Sequence, residues 1–275
     1  MALFQCNFIS YTLVREVQIN VILPTVTCPE SMGVGGNKPT HSGKAPYPVL
    51  YLLHGFANNG TVWGRYTSVE RYAEERQIAV VTISAENKGY RNQPAGEGMF
   101  GSGDRHFDFL AYEVPDFVTA NFNVSKRPED TYIAGLSMGS MGTLLHSLTM
   151  PERFRAAGAF SGPLMKMTMG MDPAELAKMT DADWDARVSD EAIALVEQAK
   201  AQGKKLPDYY VATGTLDNPE ASKAFARFLE RNGATVKTNF SRVYGHEWQF
   251  WDETIKEFLD WIPRTDSYAG KIRKI

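Results

Sequence analysis

Cysteine is nearly missing from this chain: Cys6 and Cys28 are the only two in 275 residues. So few rule out a disulfide-scaffolded secreted domain. Whether the two pair is open from sequence; free thiols in a cytoplasmic enzyme are the expectation. Long hydrophobic runs are also missing, since no stretch approaches the ~20 apolar residues that a membrane span needs. The opening "MALFQCNFISYTLVREVQIN" has no basic region, long apolar core or small-residue cleavage site of a signal peptide. There is no charge of one sign: 29 Lys and Arg face 32 Asp and Glu, for a net charge of −3. That balance offers nothing to nucleic acid or to an anionic membrane. A phosphate loop is excluded as well, because Gly43-Lys44 is followed by Ala45 and has Lys38 where the first glycine belongs. Histidine is scarce at five residues, which narrows any search for a general base.

What is present is a regular alternation. "REVQINVILP" alternates Val17, Ile19 and Val21 and reads as a strand. "YPVLYLLHG", "IAVVTIS" (78–84), "TYIAG" (131–135), "AAGAFSG" (156–162) and "DYYVATGT" (208–215) are short apolar runs suited to strands covered on both faces. Helical patterns lie between them. The clearest covers 218–232, with Asn218 as cap, Pro219 in the first turn, a stripe Ala221, Ala224, Phe225, Phe228, Leu229, and Gly233 as stop. A last helix carries Trp248, Trp251, Ile255, Phe258 and Leu259 on one face before Pro263. Strands alternating with helices predict an α/β fold, a mainly parallel sheet with helices on both faces, in one domain over 1–275. The Met-rich helical segment 164–207 is longer than a crossover needs and reads as an insertion over one sheet edge.

One strand ends in "IAGLSMGSMG", residues 133–142, where Gly135-Leu136-Ser137-Met138-Gly139 matches G-x-S-x-G. A strand that turns at once into a helix holds its serine in a strained conformation and leaves no room for side chains at the flanking positions. The helix N-terminus and the Met138 amide then face the serine oxygen. A glycine-rich turn is the bland alternative, and the strand-before, helix-after context disfavours it.

A serine nucleophile needs a base. His41 lies in a Gly/Pro loop too early in the chain, and His146 is nine residues along the same helix, ~13 Å away at 1.5 Å per residue. His106, with Asp104 and Asp108 beside it, reads as a helix start with a solvated face rather than a metal cluster. His54 ends a central strand and suits a packing role beneath the loop that follows. His246 in "YGHEWQFW" remains, and its late position fits the order Ser…Asp/Glu…His. The acid should stand at a strand end between them. Asp217 in "GTLDN" does so, whereas Asp208 precedes the same strand and falls at the wrong end. In "LLHGFANNGTVW", Gly55 lets the backbone swing close and the Phe56 amide joins that of Met138 as an oxyanion donor. The letters G-x-G-x-x-G at 96–101 follow no strand and read as a loop. Gly55, Trp63 and Trp248 are expected to wall the substrate pocket, together with Met165, Met167, Met169 and Met171.

"LYLLHGFANNGTVW", "YIAGLSMGSMGTLLHSLTMPERFRAAGAFSG", "GTLDN" and "GHEWQFWDETIKEFL" resemble the esterase D group of α/β-hydrolases, most of all the bacterial tributyrin-type esterases. Feruloyl and acetyl-xylan esterases and S-formylglutathione hydrolases are relatives in that group. The resemblance implies an α/β-hydrolase fold and a triad of Ser137, Asp217 and His246, with no cofactor and no metal. Ser140 departs from it, standing where many members have a third glycine. The expected activity is hydrolysis of small soluble esters, acetyl to butyryl, by a serine carboxylesterase. Alternatives are a feruloyl or cinnamoyl esterase, an acetyl esterase on plant-derived oligosaccharides, an S-formylglutathione hydrolase, an acyltransferase, and a non-catalytic binding protein on the same fold. The expected partner is the ester itself, with neither nucleic acid nor membrane; a homo-oligomer stays open.

Overall fold

The structure is a computed structural model that describes residues 1–34, 36, 38–93, 104–168 and 170–275. The G-x-G-x-x-G lookalike at 96–101 and Met169 lie outside the described residues. Among the described residues eight strands, β1 (Ala2–Ser10), β2 (Arg15–Leu23), β3 (Val49–Leu53), β4 (Ala79–Ile83), β5 (Thr131–Leu136), β6 (Ala156–Phe160), β7 (Asp208–Ala212) and β8 (Val236–Asn239), form one sheet. Their order is β1-β2-β4-β3-β5-β6-β7-β8. The hairpin β1/β2 and the pair β2/β4 are antiparallel, and every other pair is parallel.

The apolar runs are continuous because the central strands feed two cores. Successive side chains of a strand point to opposite faces. Val49, Tyr51 and Leu53 of β3 enter one core layer, and Leu50 and Leu52 enter the other. Helices α1 (Val69–Arg76) and α6 (Trp248–Trp261) cover the second layer with Val69, Tyr72, Phe250, Ile255 and Phe258. On the first layer lie α2 (Val114–Asn121), α3 (Met138–Thr149), α4 (Asp190–Ala201) and α5 (Pro219–Arg231), through Val114, Val118, Leu144, Val196 and Phe225 among others. The chain runs from β3 to β4 on one side and then returns to place β5 on the other side of β3. That reversal opens a crevice outside the carboxyl ends of β3 and β5, where α/β sheets hold their ligands.

Three readings of the sequence change. Strands β1 and β8, which are not among the runs read from the sequence, are the sheet edges: Cys6 and Phe8 of β1 pack on the first core layer in alternation with exposed neighbours, and no residue of β8 is fully buried. Segment 164–207 is not an insertion over an edge throughout. Its last helix, α4, is the crossover from β6 to β7 and buries Ala192, Val196 and Ala199 against the sheet. The additional chain is the stretch before it, with short helices Pro173–Leu176 and Asp181–Asp185. Buried Trp184 anchors this stretch, and Asp185 accepts from Arg227 and Arg231 of α5 at 2.7 and 2.6 Å. Finally, Asn218 holds the N-cap position of α5 at φ 45°, but its side chain makes no capping bond.

Candidate active site

Strand β5 ends at Leu136 and α3 begins at Met138, so Ser137 alone makes the turn between them, at φ 52° and ψ −118°. This strained backbone is held from three sides. A Cβ at Gly135 would lie 2.5 Å from the Gly139 carbonyl, and one at Gly139 would lie 2.5 Å from the Leu53 carbonyl oxygen. One at Gly162, after β6, would strike the carbonyl of Ser137 itself. The Ser137 N–H donates to the Phe160 carbonyl at 2.8 Å, tying the elbow to β6. The serine is half-buried at the head of a three-turn helix, where the unpaired N–H groups and the dipole favour negative charge.

Across the crevice, the loop after β3 passes close to the serine: a Cβ at Gly55 would lie 3.4 Å from Ser137 Cβ. Two buried residues set its peptide planes. The Ala85 N–H donates to His54 Nε2 at 3.0 Å, so the ring proton sits on Nδ1 and is donated to the Gly55 carbonyl at 2.7 Å. In a trans peptide the N–H points away from the C=O, so a Gly55 carbonyl drawn towards His54 turns the Phe56 N–H away from the core. Tyr90 donates its hydroxyl to the His54 carbonyl at 3.0 Å, and His146 Nε2 donates to the Tyr90 carbonyl at 3.2 Å. The Ala57 N–H is held by Asn87 Oδ1 at 2.7 Å. Among the described residues, neither the Phe56 nor the Met138 N–H has a partner within the chain. Such a pair of free donors is what a developing oxyanion requires.

His246 and Asp217 come together as the sequence order suggests. Imidazole Nδ1 and carboxylate Oδ2 are 2.9 Å apart. An ionised carboxylate only accepts, so Nδ1 carries the proton and Nε2 is left with its lone pair. Asp217 is held in a tight turn by its N–H to the Gly214 carbonyl at 3.0 Å, and the Leu216 N–H bonds the Tyr244 carbonyl at 3.0 Å. The imidazole packs edge-to-face on Trp251, with centroids 4.9 Å apart, and the indole N–H of Trp251 donates to Ser161 Oγ at 3.2 Å. No hydrogen bond links Ser137 to His246 among the described residues, and the histidine side chain is 46% exposed. Asp208, the rejected acid, pairs with Arg155 at 2.8 Å at the start of β7, at the other end of the sheet.

The expected pocket walls divide. Gly55 faces Ser137. Trp248 is half-buried two residues past His246 and stacks on exposed Tyr66 with centroids 5.0 Å apart. Trp63 is corrected: it is 0% exposed, with its indole N–H on the Leu53 carbonyl at 3.0 Å, so it offers no surface to a substrate. Met165 packs against the core and Met167 is exposed. His106 is buried, not solvated, with its Nε2 3.4 Å from Arg15, and burial pushes its pKa down. Asp104 and Asp108 pair with Arg15 and Arg105. Sequence reading missed Trp251, Ser161 and Gly162 as supports of the site. In the sequence Trp251 is one more apolar residue of a helix stripe, and nothing local ties Ser161-Gly162 to the elbow.

A mainly parallel sheet sandwiched by helices, with a serine elbow at its switch point, is the α/β-hydrolase fold of serine ester hydrolases. Within that class the chain belongs to the Esterase family, whose model, described as "Putative esterase", matches residues 14–262. The chain is 28% identical over 276 residues to an acetyl esterase of Caldicellulosiruptor saccharolyticus, covering 96% of this chain and 99% of that one. Among solved structures, it is similar to the substrate-bound fluorophosphonate-binding serine hydrolase FphF of Staphylococcus aureus, with TM-score 0.74, 27% identity, and 95% and 98% of the two chains covered. It is also similar to the S-formylglutathione hydrolase FrmB of Staphylococcus aureus, with TM-score 0.72, 26% identity and the same coverage of 95% and 98%. The protein is a serine ester hydrolase.

Proposed function

We propose that Ser137, His246 and Asp217 form the catalytic triad and that the substrates are small, short-chain acyl esters. The observation that carries the triad is the Asp217–His246 hydrogen bond of 2.9 Å at the same crevice as the elbow serine. His246 Nε2 takes the Ser137 proton as the oxygen attacks the ester carbonyl, and the Phe56 and Met138 amides bind the oxyanion. The alcohol leaves with the proton from His246. Water then repeats the cycle on the acyl-enzyme, while Asp217 holds the tautomer and stabilises the imidazolium. A short acyl group is supported by the openness of the site, where Phe56 and Leu216 are 65% and 71% exposed. A relative named acetyl esterase points the same way. Two free cysteines suit a cytoplasmic setting.

The test pairs labelling with a substrate panel. A fluorophosphonate should label one serine, and Ser137→Ala should abolish the labelling while the melting temperature holds. Labelling that survives the substitution overturns the nucleophile. Among p-nitrophenyl acetate, butyrate and laurate, kcat/KM should fall steeply at laurate; a preference for laurate refutes the short-acyl reading. Methyl ferulate and S-formylglutathione stand in the same panel, and selectivity for either would move the substrate class to cinnamoyl esters or thioesters.

A further inference from the structure

A second concavity lies at the other end of the sheet. It has a volume of about 330 Å³, within the range of about 300–1,000 Å³ usual for small-molecule sites. Its lining includes Thr131, the first residue of β5, six residues from Ser137 and so ~20 Å away at strand rise. Leu110, Pro115, Ile133 and Phe154 give it apolar walls.

Three features mark it. Tyr51 of β3 lines the cavity and is only 4% exposed, yet among the described residues its hydroxyl has no hydrogen-bond partner. The hydroxyl faces the cavity instead of being sealed in the core, so a ligand acceptor can reach it. Arg153 lines the same cavity, half-buried and, among the described residues, without a carboxylate partner. Its Nη1 donates to the Ala111 carbonyl and approaches Met150 Sδ at 3.7 Å, while Nη2 and Nε have no acceptor among the described residues. The Arg153 charge also acts on the Tyr51 phenol, opposing the upward push of burial, which places the two groups near each other. The third feature is a π-helical turn, Phe109–Glu113, whose Leu110, Ala111 and Tyr112 form one wall. Such turns concentrate at functional sites. Arg153 lies over the Tyr112 ring, 5.6 Å from its centroid. At the exposed rim Asp116 and Lys126 oppose each other in charge, leaving Arg153 as the uncompensated cation.

We propose that this cavity is a second binding site, for a small monocarboxylate with a flat apolar body, its carboxylate on Arg153 and Tyr51 and its body against Leu110, Ile133 and Phe154. A guanidinium with free donors beside a phenol matches a carboxylate, and Leu110, Ile133 and Phe154 offer apolar contact to a flat body. The site is independent of which ester reacts at Ser137.

The probe is benzoate, titrated into the whole protein and followed by amide resonances. Saturable shifts are expected at Ala111, Tyr112 and Phe154, distinct from any at Met138 that would report the ester site. Arg153→Gln should weaken the first set about tenfold or more, and Tyr51→Phe about fivefold. Tyr51→Phe removes a hydroxyl that bonds nothing, so its fold should be intact even where Arg153→Gln loosens the π turn. Benzamide, of the same shape without the charge, should bind about tenfold more weakly. Shifts confined to Met138, shifts that both substitutions leave unchanged, or benzamide binding as tightly as benzoate would each overturn the proposal.

Discussion

The geometry at Ser137 and His246 is set by their neighbours. The serine is kept at φ 52° by contacts that only glycines permit, and the imidazole is oriented by a carboxylate on one side and the Trp251 face on the other. Replacing Asp217 with Asn keeps the shape but offers Nδ1 an amide that can also donate, so the wrong tautomer is populated. Asp217→Asn should lower kcat by ~10²–10⁴-fold with little change in KM. Steady-state kinetics checks this; if Asp208→Asn did the damage and Asp217→Asn did not, the acid is misassigned. Ser140 invites a second substitution. It is fully buried and its hydroxyl has no partner among the described residues, so the departure from a glycine at this position reflects no polar contact with them. Ser140→Ala should be neutral or stabilising by up to about 1 kcal/mol, read from urea midpoints. A comparable loss would mean that the hydroxyl is bonded after all.

At the scale of elements, the site is a meeting of four strand ends. The loop after β3 brings the Phe56 amide, the elbow after β5 brings Ser137, the loop after β7 brings Asp217, and the loop after β8 brings His246 to it. The first two are locked by the approach of α3 to β3, where Gly139 meets the backbone carbonyls of Leu53 and His54. Backbone cannot swing aside as a side chain can. Gly139→Ala should therefore cost about 1–3 kcal/mol and should lower kcat as well, because relief of the clash moves Ser137 away from Phe56. A variant that is fully active and equally stable would show that α3 can shift without disturbing the elbow. The 163–188 stretch behaves differently: its two ends enter the first core layer through Leu164 and Val188, and Asp185 pins it to α5.

Over the whole molecule, the buried histidines couple the fold to pH. Burial pushes the pKa of His146 down to about 3 and lowers those of His54 and His106. A histidine that is neutral when folded and free to protonate when unfolded contributes stability that is fully present above its unfolded pKa. That contribution is lost as pH falls through about 6.5 towards the folded value. His146 alone should therefore cost the protein about 2 kcal/mol between pH 7.5 and pH 5. Urea midpoints should fall over that window, and less steeply in His146→Gln. An unchanged slope in the variant would place the acid sensitivity elsewhere. Since His54 and His146 lie under the Phe56 loop, activity and stability should fall together.

By itself the sequence determined the layered α/β plan, the elbow and the candidate triad. Each is written in local spacing: apolar runs bounded by turns, glycines two residues to either side of Ser137, and an acid and a histidine just past strand-like segments. Strand order, and with it the crevice between β3 and β5, was decided by tertiary structure, because parallel strands pair across long separations with no local signature. The same holds for Trp63, Trp251 and Tyr51. As isolated letters all three are large aromatics in apolar stretches. Only packing determined that Trp63 is sealed in the core, that Trp251 braces the imidazole, and that the Tyr51 hydroxyl opens onto a cavity.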